Sequence, residues 1–174
     1  EWSPSGSQLA VIFNRNGAFD LSLVETESGS SLDLRSGAGF HSNPNWAPDE
    51  SFLTYEYESP LLPPDLYRIE LSSKRVTQFT FSNPPALHNN KKVVPEIVRY
   101  QSYDGLDIHA FLYKPEKSNG AAIVYPHGGP RDQYGFAWDE LAQYFTAKGY
   151  TYLAPNYRGS TGYGKQFERA NYDG

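Results

Sequence analysis

The stretch Ala121-Ala122-Ile123-Val124-Tyr125-Pro126-His127-Gly128-Gly129-Pro130 decides the fold class of this chain. Its first five residues form a short, continuously apolar run, the pattern of a strand buried on both faces of a sheet. Phe136 to Lys148 then reads as a helix, with Ala137, Leu141, Tyr144 and Phe145 on one face. Asp139 and Glu140 stand in its first turn, Lys148 in its last, and Gly149 is a natural residue to end it. Tyr150 to Ala154 is a second buried strand. Strand, helix and strand in succession predict a right-handed crossover and a parallel sheet.

Upstream, Val98 to Ser102 and Leu106 to Tyr113 flank Asp104-Gly105, a strong two-residue hairpin signal. Before them, Pro84-Pro85, Asn89-Asn90-Lys91-Lys92 and Pro95 form a polar, proline-bearing connection. Further upstream the sequence repeats itself. Trp2-Ser3-Pro4-Ser5-Gly6-Ser7-Gln8-Leu9 recurs as Trp46-Ala47-Pro48-Asp49-Glu50-Ser51-Phe52-Leu53, at an offset of about 44 residues that suits a propeller blade. Each copy is a Trp, a turn built on Pro and Ser or Asp, and a strand-like run. Apolar residues then alternate: Leu9, Val11 and Phe13; Leu21 and Leu23; Leu32 and Leu34; Leu53, Tyr55 and Tyr57; Tyr67, Ile69 and Leu71. Short strands separated by turn signals describe antiparallel sheet. The expected organisation is mixed: residues 1–95 are the C-terminal blades of an incomplete β-propeller, and residues 96–174 the N-terminal part of an α/β domain. Two repeats are too few for a stable array. With Glu1-Trp2 starting in mid-pattern and no Met anywhere, the chain reads as a piece of a longer protein.

Composition fits a packed domain. Among 174 residues are 14 Tyr, 10 Phe and 3 Trp, which carry large buriable surfaces, while 15 Gly and 13 Pro point to many turns. A net charge of −5 argues against a nucleic-acid footprint. No apolar run approaches the ~18 residues of a membrane helix. The absence of cysteine excludes a disulfide scaffold, a thiolate nucleophile and Cys-ligated zinc. No Asn-x-Ser/Thr acceptor occurs either, so composition tips the compartment toward the cytoplasm without deciding it.

In an open α/β sheet, ligands bind beyond the carboxyl ends of the strands, where two loops of this chain fall. In the first, Gly128 and Gly129 admit positive φ and leave no Cβ between the peptide plane and a ligand, so backbone N–H groups can point at a developing oxyanion. The structural reading of the same residues is a tight turn, with His127 as a hydrogen-bonded packing residue. The second loop is Pro155-Asn156-Tyr157-Arg158-Gly159-Ser160-Thr161-Gly162-Tyr163-Gly164. It is neither a Walker loop nor a Gly-x-Gly-x-x-Gly fingerprint, and Ser160 lacks the Gly-x-Ser-x-Gly setting of a nucleophile elbow. Arg158 is a candidate to bind a peptide carbonyl or carboxylate, or equally to form a structural pair. The four histidines (41, 88, 109 and 127) show no metal-ligand spacing. Glu25, Glu27, Glu56 and Glu58 read as solvated strand faces.

Taken in order, His127-Gly128-Gly129-Pro130, a helix and Pro155 to Gly164 resemble the start of the catalytic domain of the prolyl oligopeptidase family, in its acylaminoacyl-peptidase and dipeptidyl-peptidase variants. The Trp-led repeats resemble the propeller that precedes this domain, and Tyr103-Asp104-Gly105-Leu106 with Lys114-Pro115 its usual entry. The resemblance covers nearly the whole chain. It implies an α/β-hydrolase fold and a serine-type peptidase that cleaves short peptides or acyl-aminoacyl bonds with a Ser-Asp-His triad, screened from folded proteins by the propeller. By the family's chain order all three triad residues lie beyond Gly174, so this piece alone is expected to be inactive. His127, Gly128 and Gly129 are then the oxyanion-hole loop, with the Gly129 N–H as donor, and no cofactor or metal is implied. The alternatives are an esterase or lipase-type hydrolase, which His-Gly-Gly-Gly would favour, and a non-catalytic propeller binding protein with a degenerate hydrolase domain.

Overall fold

In the computed structural model, which describes residues 1–85, 91–129 and 131–172, the two Trp-led turns are closed by the same pair of backbone bonds. Ser3 N–H donates to Gln8 O (2.9 Å) and Gly6 N–H to Ser3 O (2.9 Å); Ala47 N–H donates to Phe52 O (3.0 Å) and Glu50 N–H to Ala47 O (3.0 Å). Gly6 (φ +74°) and Glu50 (φ +58°) occupy the same left-handed position. The repeat is therefore a repeat of backbone conformation. Asn89, Asn90 and Pro130, read as connection and loop, lie outside the described residues.

The chain divides into two compact units, Glu1–Asn90 with Phe136–Trp138, and Lys91–Gly135 with Asp139–Gly174. In the first, β1 (Gln8–Arg15), β2 (Ala18–Glu25) and β3 (Ser31–Arg35) form one antiparallel set. A second set comprises β4 (Phe40–Trp46), β5 (Phe52–Ser59), β6 (Leu62–Glu70) and β7 (Val76–Gln78). One parallel bridge, Phe19 to Phe40, joins them, with Phe19 N–H donating to Gly39 O (2.9 Å) and the two rings 4.1 Å apart. The core is Ala10, Leu21, Leu23, Leu53, Tyr55 and Ile69, supplied by β1, β2, β5 and β6. Alternation does not reveal β4 or β7. β4 is broken by Asn43 at φ +49° and by a register shift between Ser42 and Asn45, and β7 has three residues.

In the second unit, β8 (Glu96–Gln101) and β9 (Asp107–Tyr113) form a hairpin, but through the three residues Tyr103-Asp104-Gly105 rather than the expected two: Ser102 N–H donates to Leu106 O and Gly105 N–H to Ser102 O, both at 2.9 Å. β10 (Ala122–Val124) and β11 (Thr151–Asn156) are parallel, linked through α1 (Glu140–Ala147). Because β11 also pairs antiparallel with β9, the sheet is mixed, in the order β10-β11-β9-β8. A short α2 (Lys165–Arg169) follows. Among the described residues no helix is long and apolar enough to cross a membrane.

Two further local expectations are corrected. The helix starts at Glu140 rather than Phe136, since Asp139 adopts an extended conformation and caps it, its side chain accepting from Ala142 N–H (2.9 Å). Its buried face is Ala142, Gln143 and Thr146, whereas Leu141 and Tyr144 are exposed. Small residues let α1 approach, and the Gln143 amide is matched by the Val93 backbone, donating to Val93 O (2.8 Å) and accepting from Val93 N–H (2.9 Å). The second correction concerns β10. It has one neighbouring strand among the described residues, and Val124 is 63% exposed, so the run is not buried on both faces. β11, with strands on either side, buries Tyr152, Ala154 and Asn156 completely.

Candidate active-site loop

The parallel pairing of β10 with β11 sets their carboxyl ends side by side, and Tyr125 N–H extends the ladder by donating to Leu153 O (2.9 Å). Both glycine-containing loops therefore leave the sheet at one place. The His127 ring lies over the Tyr157 ring (centroids 4.5 Å, interplanar 21°) and edge-on to Tyr134 (5.7 Å). His127 Nδ1 is 2.7 Å from Gly128 O, and Nε2 is 2.7 Å from Ser160 Oγ. The Tyr157 hydroxyl donates to His127 O (2.7 Å).

Gly129 has φ +128°. A Cβ there would meet Arg131 N at 2.8 Å and the Asp132 Cβ at 3.4 Å, so both conformation and space demand glycine. Gly128 is different: a Cβ would have nothing within 4 Å.

Asn156 ends β11 fully buried and ties the loops together. Its Oδ1 accepts from Tyr134 N–H (2.7 Å), and its Nδ2 donates to Tyr134 O (3.0 Å) and Tyr163 Oη (2.8 Å). Burial pushes the Tyr134 phenol up to about 12, and raises that of Tyr163 against the opposing Asn156 bond. Thr161 N–H donates to Asp132 O (3.0 Å), a further tie between the loops.

Arg158 is engaged by the hairpin, with its Nη2 2.9 Å from both carboxylate oxygens of Asp104 and 3.2 Å from Ser102 Oγ. Its guanidinium also stands over the Tyr103 ring, at 5.2 Å. The structural pair that the sequence left open is thus formed, on the β8–β9 hairpin. Hydrogen bonding to Arg158 holds the Asp104 carboxyl below its ordinary value.

Sequence reasoning missed Asn156, Tyr157 and the contact of Ser160 with His127. Asn156 could have been suspected from its place directly after an apolar strand, where an amide has backbone groups to satisfy. Ser160 carries no such signal. Among the described residues, no group of three or more His, Asp or Glu side chains is placed to hold a metal ion.

Residues 135–173 match the prolyl oligopeptidase family. Across 97% of its length the chain is 28% identical to an uncharacterized peptidase of Bacillus subtilis, covering 26% of that protein. It is 29% identical to the human acylamino-acid-releasing enzyme over 94% of its length and 24% of the enzyme. The acylaminoacyl peptidase of Pyrococcus horikoshii superposes with a TM-score of 0.74 at 26% identity, over 92% of this chain and 25% of that one. The chain thus spans about a quarter of the length of the curated relatives it matches. Blades and mixed sheet correspond to the propeller and hydrolase layout of those enzymes. With its two loops on that layout, the chain matches the prolyl oligopeptidase family over residues 135–173 and is similar to these peptidases along nearly its whole length.

Proposed function

We propose that this chain is the junction of a serine-type peptidase, with residues 1–95 closing a propeller and residues 96–174 opening the hydrolase domain. The loop His127-Gly128-Gly129 supplies the oxyanion donor, and the Ser-Asp-His triad comes from sequence beyond Gly174. The substrates are short peptides or acyl-aminoacyl compounds, in keeping with the acylamino-acid-releasing enzymes among the relatives. The observation that carries this reading is Gly129, at φ +128° with no room for a Cβ, just beyond the carboxyl end of β10.

During acylation the scissile carbonyl oxygen becomes an anion, and a preorganised N–H about 2.7–3.1 Å away stabilises it more than it stabilises the substrate. Such a donor acts on kcat, because only interactions stronger in the transition state speed the chemical step. In the full-length protein, Gly129→Ala should lower kcat on a peptide anilide by about 10²–10³ while the nucleophile stays reactive towards a fluorophosphonate. A folded variant that keeps more than about a third of wild-type kcat would remove Gly129 from the oxyanion role and leave the turn-only reading. Arg158, preorganised by Asp104, is the substrate-side cation of the proposal. Arg158→Met should raise KM for peptides more than it lowers kcat.

A further inference from the structure

We infer that Ser160 is a positioning residue whose hydroxyl sets the tautomer of His127 and thereby the direction of the Gly129 N–H. The inference rests on the oxyanion reading above and deepens it. Four observations carry it, all within the second unit.

His127 Nδ1 sits 2.7 Å from the Gly128 carbonyl oxygen, an atom that only accepts. At that distance Nδ1 must carry the proton, since two facing lone pairs would repel. In a neutral imidazole Nε2 is then an acceptor, and the group 2.7 Å from it is the Ser160 hydroxyl, which donates. Ser160 is itself wholly buried and its N–H is held by Tyr157 O (3.0 Å), so the hydroxyl is delivered from a fixed backbone. The Tyr157 hydroxyl, donating to His127 O (2.7 Å), and the stacked Tyr157 ring fix the imidazole in place.

The consequence lies in peptide geometry. The Gly128 C=O and the Gly129 N–H belong to one planar trans peptide and point in opposite directions. Gripping that oxygen with Nδ1–H aims the Gly129 N–H away from His127. A glycine pair needs such a restraint, because neither residue has a side chain to limit rotation of the peptide plane. Ser160 therefore acts through His127 on the donor and touches no reacting atom. A serine hydrogen-bonded to a histidine looks like a nucleophile and its base, and this tautomer would suit that role, but Ser160 is wholly buried and out of reach of a substrate.

In the full-length protein, Ser160→Ala should lower kcat on a peptide anilide by about ten- to a hundredfold, less than loss of the donor itself, with KM within about twofold. Fluorophosphonate labelling should reach wild-type stoichiometry, with the adduct on a serine other than Ser160. Wild-type kcat in a folded Ser160→Ala variant, or an adduct on Ser160, would overturn the inference. Nitrogen-15 NMR of the histidine-labelled wild-type protein decides the matter even where the variant does not fold. The Nδ1–H tautomer at His127 is the expected result, and the Nε2–H tautomer would overturn it. Gly129→Ala, measured alongside, separates the two readings: a damaging Gly129→Ala with a silent Ser160→Ala sinks the Ser160 inference alone, whereas a silent Gly129→Ala sinks the oxyanion reading beneath it.

Discussion

Left-handed residues do different work in the blades and in the loop after β10. In the blades one position is filled by either kind of residue. Gly29 (φ +67°) and Lys74 (φ +58°) close equivalent turns, the N–H of Gly29 donating to Glu25 O (2.9 Å) and that of Lys74 to Glu70 O (2.8 Å). A Cβ at Gly29 would meet nothing within 4 Å. At Gly129 the same kind of φ coincides with the Arg131 backbone 2.8 Å from where a Cβ would lie. Backbone strain alone is tolerable, at roughly 1–2 kcal/mol for a left-handed L-residue. Strain together with a backbone obstacle is not, because neither partner can give way.

The sharpest test of this contrast is alanine at both kinds of position. Gly129→Ala carries the loss of about 10²–10³ in kcat given above. Gly29→Ala should leave kcat unchanged and lower stability by only about 1 kcal/mol, read from the denaturant midpoint. Comparable costs for the two changes would erase the distinction.

Side-chain networks should divide the units in the same way. Asn156→Leu strands the N–H and C=O of Tyr134, and should destabilise the loops by about 3 kcal/mol, visible as faster hydrogen exchange between residues 131 and 135. Unchanged exchange there would mean that the loops are held by other contacts.

A smaller effect concerns pH in the first unit. His41 is buried with Nδ1 2.7 Å from Phe19 O, and burial, helped by Arg35, pushes its pKa below the ordinary 6.5 against the bond to Phe19 and the charge of Asp20. The unfolded chain then binds the proton more readily. The stability due to neutral His41 is fully present above about pH 6.5 and is lost as pH falls through the folded-state value. Melting temperatures between pH 7 and pH 5 should fall less steeply in His41→Gln than in wild type. Equal slopes would show that His41 does not titrate on folding.

The smallest expected effect is a gain. Lys74→Gly relieves a left-handed lysine and should add up to about 1 kcal/mol, offset in part by the freer unfolded chain. A loss would show that the turn depends on the lysine side chain.

What could be read from the sequence was whatever local chemistry enforces. The Trp-led turns repeat because Pro with Ser or Asp presets a turn wherever it occurs, and the alternating runs of β2, β5 and β6 show a period of two because one face meets the core; in β1 it is Ala10 and Ile12, not Leu9, Val11 and Phe13, that face it. The Asp104-Gly105 hairpin and the strand-helix-strand order were legible for the same reason. Hidden from that reading were β4, with its left-handed Asn43, and the buried face of α1, where Gln143 outranks Leu141 because the Val93 backbone answers its amide.

By itself, then, the sequence determined the order of blade and hydrolase elements and the two glycine loops, while the need for glycine at 129 but not at 128 is a finding of the structure. The tertiary structure alone decided that Arg158 pairs with Asp104, that Asn156 bridges to Tyr134, and that Ser160 meets the ring of His127. These partners lie 22 to 54 positions apart in the chain. No local preference of a serine, an arginine or an asparagine names such a partner. It is chosen by the parallel register of β10 on β11 and the hairpin beyond, which set the loops side by side.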